Sequence, residues 1–114
     1  MALPHDHDTQ YQLLALLNEA PNGKMHCQEV YLRLAERFPQ LNGDDMSGPY
    51  RNSCSQWANH VQWARHHLLL QGHLLPSYLS GRGFWAISEG GRAYLRFHIR
   101  RAEQLLRELD DLLS

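Results

Sequence analysis

Between Cys54 and Leu68 the apolar residues Trp57, Val61, Ala64 and Leu68 recur at steps of four, three and four, which places them on one face of an α-helix. That helix constrains the fold more than any other stretch of the chain. Its other side carries Gln56, Asn59, Gln62 and His66, which donate and accept hydrogen bonds, with no carboxylate to repel an anion. A face of this kind suits contact with phosphates and base edges. Gly72 provides a left-handed terminator and Ser53 or Ser55 a cap at the start, so the expected helix covers residues 53–71.

The segments on either side complete a domain around it. Asp8 is expected to cap a first helix that begins at Thr9, buries Tyr11, Leu13, Leu14 and Leu17, and ends at Pro21-Asn22-Gly23. Lys24-Met25-His26 has extended character, and a second helix from Cys27 carries Val30, Tyr31, Leu34 and Ala35 until Phe38-Pro39 stops it. Residues 40–52 have no apolar period and read as a loop. Past Gly72, residues 74–78 and 84–87 read as two strands of a hairpin, with Gly81 and Gly83 on either side of Arg82. Ser88 caps a last helix, although Gly90 and Gly91 weaken its first turn by about 1 kcal/mol each relative to alanine. The pattern predicts a mainly α winged helix-turn-helix: a flexible N-terminus over 1–8, the domain over 9–95, its wing over 74–87, and an extended C-terminal helix over 89–113.

Length and charge narrow the function. A chain of 114 residues suits one domain. No apolar run approaches the roughly 18 residues that span a bilayer, and the polar, acidic start is unlike a secretory signal. A cytoplasmic protein with no membrane partner is therefore expected, and the widely separated Cys27 and Cys54 are expected to be reduced. The net charge of −1 hides an asymmetry. Residues 1–50 hold a net −4, residues 51–101 a net +6 and the remainder −3. A basic block around the polar-faced helix and the wing is what phosphate binding needs, so double-stranded DNA is the expected partner.

On that reading Gln56, Asn59 and His60 lie where a recognition helix meets base edges in the major groove, with Gln62 and His66 on the same side. Arg51, Ser53 and Ser55 would hold phosphate at the positive end of the helix, and Arg82 at the wing tip would reach backbone or minor groove. Trp63, beside the apolar stripe, reads as packing against a neighbouring element. The eight histidines include His5 and His7 near the start and His60, His66 and His67 in the helix, but no cysteine or carboxylate follows at a zinc-site interval, so no metal and no cofactor are expected. Neither cysteine sits in a nucleophile context, and no enzymatic activity is expected.

The last helix reads as an interface. Leu95, Ile99, Ala102, Leu106, Leu109 and Leu113 alternate steps of four and three as a heptad seam does, and Leu105 and Leu112 widen it. A homodimer through this stripe is expected, the alternative being a helix folded back on the first helix of its own chain. A further alternative for the whole protein is an interaction module that uses the winged helix as a scaffold without binding DNA.

Several of these residues belong to a longer pattern. Asn59-His60-Val61-Gln62-Trp63-Ala64-Arg65, then Leu68, Gly72-His73-Leu74-Leu75, Trp85-Ala86-Ile87-Ser88 and Gly91-Arg92 together resemble the N-terminal winged-helix domain of Mrr-type restriction endonucleases, over roughly residues 9–95. The resemblance implies DNA recognition, a role that domain serves for a separate nuclease domain in the family. The nuclease motif [EQ]-x-K is not found in these 114 residues, whose only lysine is Lys24, two positions after Asn22. A reader without cutting chemistry is expected, as a transcription regulator or an accessory of a restriction or defence system.

Overall fold

The computed structural model describes residues 3–41 and 56–114. Helix α1 (Asp6–Glu19) buries Leu13, Leu14, Leu16 and Leu17. It begins three residues before the expected start at Thr9. His5 is its extended N-cap, and Asp6 and Asp8 both lie inside the first turn, where the helix dipole favours a carboxylate. Asp8 is therefore not the cap. The Ala20 N–H closes the helix on the Leu16 and Leu17 carbonyls, and a 3-10 turn over Pro21–Gly23 leads into strand β1 (Lys24–His26).

Helix α2 (Cys27–Ala35) follows at once, its start capped by the His26 ring, whose Nδ1 accepts from the Gln28 N–H at 3.2 Å. Val30 and Leu34 are its buried residues. Helix α3 (Gln56–Leu70) buries Trp57, Ala58, Val61, Ala64 and Leu68, so the four-three-four spacing marks the face that meets the core. It ends in a Schellman motif on Gly72, whose φ is 80°: the Gly72 N–H bonds the Leu69 carbonyl and the His73 N–H the Leu68 carbonyl.

The expected hairpin takes a different form. Strand β2 (Phe84–Ala86) pairs antiparallel with β1, in the register Lys24 to Ala86, Met25 to Trp85 and His26 to Phe84. From the segment 74–78 only Leu74 joins, as a single bridge to Ile87. Residues after it turn into the short helix α4 (Ser77–Ser80). Pro76 explains the change, because it has no N–H to give to a ladder and its fixed φ suits the residue before a helical turn. Its carbonyl accepts from the Leu79 and Ser80 N–H groups, and the buried Ser80 hydroxyl donates to the Phe84 carbonyl at 2.8 Å. The wing is thus a helical turn followed by the glycine-flanked Arg82 and then β2.

Helix α5 (Glu89–Leu113) starts under Ser88, whose Oγ accepts from the Gly91 N–H and donates to the Gly72 carbonyl at 2.7 Å. That one hydroxyl ties the end of α3 to the beginning of α5. The glycines in this first turn serve a close approach: a Cβ on Gly91 would collide with the His73 carbonyl and with Ile87. The core gathers α1, α2 and α3 over β2, centred on Trp57, Leu13, Leu14, Leu17 and Leu34. The order helix, strand, helix, helix, bridge, short helix, strand, helix is consistent with a winged helix-turn-helix carrying a long C-terminal helix.

Only the first half of α5 packs on this core. Arg92 donates to the Asn18 side chain, and the His98 ring meets Tyr11 at 6.4 Å. From Ile99 onward every residue is exposed. Leu95, expected in a dimer seam, is only 2% exposed and belongs to the core of its own domain. The stripe available to a partner therefore starts one heptad step later, at Ile99.

Candidate nucleic-acid interface

The side of α3 turned away from the core is built on helical spacing from Asn59, Trp63, His66 and Leu70, with Gln62 and His67 on its flanks. Gln62, Trp63, His66, His67 and Leu70 are exposed, and Gln56 and Asn59 are half-buried at its N-terminal end. Two shallow hollows lie along the face. One, of about 380 Å³, is bordered by Leu3, Asp6, Gln56, Asn59, His60, Trp63 and His67. The other, of about 310 Å³, lies among Asn59, Gln62, Trp63 and His66. Helix α3 contains no carboxylate.

The structure sorts the expected contact residues into three groups. Gln56, Asn59, Gln62 and His66 share the outer face, where Gln62 donates to the Tyr31 hydroxyl at 3.0 Å and so links α3 to α2. His60 stands at the border of the first hollow, and its ring is engaged by α1. Its Nε2 meets the Thr9 hydroxyl at 2.8 Å, and its Nδ1 lies 3.8 Å from an Asp6 carboxylate oxygen. The Thr9 hydroxyl also donates to the His5 carbonyl at 3.1 Å. His60 joins α3 to α1, with both ring nitrogens facing groups of α1. Burial lowers its pKa below the ordinary histidine value, and Asp6 opposes this in part. The third group, Arg51, Ser53 and Ser55, lies outside the described residues.

Trp63 departs from its expected packing role. It is 58% exposed, with the His66 ring edge-on at 5.8 Å and the His67 ring at 6.4 Å. The spacing points to this position, since Trp63 lies four residues after Asn59 and well over 90° around the helix from the stripe through Trp57 and Val61. Large aromatic side chains suggest a core, and here size and angle give opposite signals. Arg65 does pack inward, with its guanidinium over the Trp85 ring at 5.3 Å. Tyr31 meets the same ring at 5.6 Å, and Trp57 Nε1 donates to the Tyr31 carbonyl at 2.8 Å. Trp85 is therefore the point at which α2, α3 and the wing strand are fixed to one another.

On the wing, Arg82 is exposed between Gly81 and Gly83, whose φ angles are 98° and 81°. Lys24, on the neighbouring strand, lies with its ammonium 5.3 Å from the centre of the Phe84 ring. Two cations thus mark the wing and the edge of its sheet. Among the described residues no three His, Cys, Asp or Glu side chains come together in a group that would hold a metal ion. His60 faces α1 while His66 and His67 flank Trp63, so the three helix histidines do not converge.

A match to the Mrr N-terminal domain covers residues 8–96. The chain belongs to that family. The matched span takes in α1 to the first half of α5, including the outward face of α3 and the wing, and it leaves out the exposed second half of α5. Membership relates this Mrr N-terminal domain to restriction systems. Comparison with curated proteins and with solved structures found no match. Among the described residues no helix is long and apolar enough to cross a membrane.

Proposed function

We propose that this Mrr N-terminal domain binds double-stranded DNA, with α3 in the major groove and the wing on the backbone or minor groove. The observation that carries the reading is the outward face of α3: amide, imidazole and indole groups in a row on a helix without a carboxylate. Asn59 and Gln62 are suited to paired hydrogen bonds with adenine, and Arg82 and Lys24 to phosphate. In this reading the domain recognises DNA and does not cut it, as a regulator or as an accessory of a restriction system. The exposed apolar stripe of α5 supports a second component, a homodimer formed through Ile99, Ala102, Leu106, Leu109 and Leu113.

The test is duplex binding by anisotropy for three proteins: the parent, a variant with Asn59 and Gln62 both replaced by alanine, and Arg82→Ala. Removing the two amides is expected to cost about 1–3 kcal/mol for each base that they read and to weaken sequence preference. Arg82→Ala is expected to weaken binding equally on all sequences and to flatten the salt dependence by about one unit of slope. If both variants bind as the parent does, α3 and the wing are not the DNA surface. A matched pair of methylated and unmethylated duplexes then establishes whether base modification alters affinity.

A further inference from the structure

The second half of α5 leaves six large apolar side chains exposed, Ile99, Leu105, Leu106, Leu109, Leu112 and Leu113, at 46–82% of their surface. A stripe of that kind on one side of a helix is a packing surface without its partner. The charges along the same helix are segregated. From Glu89 to Arg101 it holds Arg92, Arg96, Arg100 and Arg101 against Glu89 alone, and from Ala102 onward Glu103, Glu108, Asp110 and Asp111 against Arg107 alone. The two halves carry +3 and −3. Few of these charges are used within the chain. Among the described residues Arg96, Arg100, Arg101, Asp110 and Asp111 form no ion pair, and the α5 pair is Arg92 with Glu89 at 3.9 Å.

We infer that the exposed half of α5 pairs with the same half of a second copy of this chain, and that the two helices run antiparallel. A parallel pair would bring like charge against like charge along the whole overlap, whereas an antiparallel pair centred near residue 106 sets Asp110 and Asp111 of each helix beside Arg100 and Arg101 of its partner. The helix dipoles favour the same orientation. Packing of His98 on Tyr11 and burial of Leu95 close the earlier part of the stripe, so the overlap is confined to about residues 99–113 and centred near residue 106. The inference rests on the dimer proposed above and adds its orientation.

Orientation can be measured in two ways. In scattering from the unmodified protein, two bodies each 54 Å long that overlap along about 20 Å of helix extend to about 90 Å, and a parallel pair to about 60 Å. Spin labels at Phe97→Cys, with Cys27 and Cys54 replaced by alanine, are expected about 30 Å apart in the antiparallel pair and about 10–15 Å apart in a parallel one. A dimer of about 90 Å with the longer label distance supports the inference. The shorter values overturn it, as does a monomer in sedimentation at high micromolar concentration. Leu109→Asp, at a site that touches no core residue, is expected to weaken association by about tenfold or more with an unchanged circular dichroism spectrum. No change in association with this variant overturns the inference. A monomer that still binds duplex DNA refutes pairing and leaves the DNA reading intact, and an antiparallel pair that fails to bind DNA does the reverse.

Discussion

The Thr9–His60 contact shows how a single side chain is diverted from the face its type suggests. His60 lies one residue after Asn59, far enough around the helix for its ring to reach α1. The pH dependence of stability follows. Burial lowers the pKa of His60, and burial also lowers that of His73, which stacks on Tyr94 at 4.4 Å. Below the ordinary histidine value of about 6.5 the unfolded chain binds these protons more readily than the fold does, so this stability is complete above that pH and is lost as pH falls through the depressed values. The melting temperature is expected to drop between pH 7 and pH 5, and to drop less in His60→Asn. An equal drop in the variant would remove His60 from the account. At Gly91 the sequence suggests only a weakened helix end, since a clash with the His73 carbonyl is a contact between distant segments that no local pattern reveals. Gly91→Ala is accordingly expected to destabilise the domain by about 1–3 kcal/mol in urea denaturation, against a gain of about 1 kcal/mol from helix propensity alone.

At the level of elements, most of what the chain folds into is visible in apolar spacing and end signals. The buried residues Trp57, Val61, Ala64 and Leu68 and the glycine at residue 72 delimit α3, and Val30 and Leu34 mark the buried face of α2. Pairing of strands is not visible there. Three residues on β1 and three on β2 are too few for an alternating pattern, and their partnership depends on the core that brings residue 25 to residue 85. Pro76 argues against a strand over 74–78, but the glycines around Arg82 give a stronger turn signal than the proline gives a break. On α3 the four outward residues Gln56, Asn59, Gln62 and His66 are legible as one face, whereas the size of Trp63 suggests burial that its angle around the helix does not allow. Trp63→Ala offers a check on that face: with a 58% exposed ring, it is expected to change the unfolding free energy by less than about 0.5 kcal/mol while weakening duplex binding. A large loss of stability would restore the packing role.

For the whole molecule, the net charge of −1 conceals a basic middle between two acidic ends. Folding gives that arrangement a spatial meaning. The acidic first fifty residues include α1 and α2, the basic block includes α3, the wing and the first half of α5, and the acidic end is the projecting tip of α5. A molecule so divided can hold nucleic acid with its middle and a second copy with its end. Whether the middle holds DNA through phosphate contacts is decided by the affinity for a random-sequence duplex measured from about 50 to about 300 mM salt. Measurable binding is expected at the lowest salt, with a linear fall of log K with log salt and a slope of about −0.9 for each phosphate neutralised. No binding at the lowest salt, or an affinity indifferent to salt, would contradict such contacts and leave the domain as a scaffold for protein contacts.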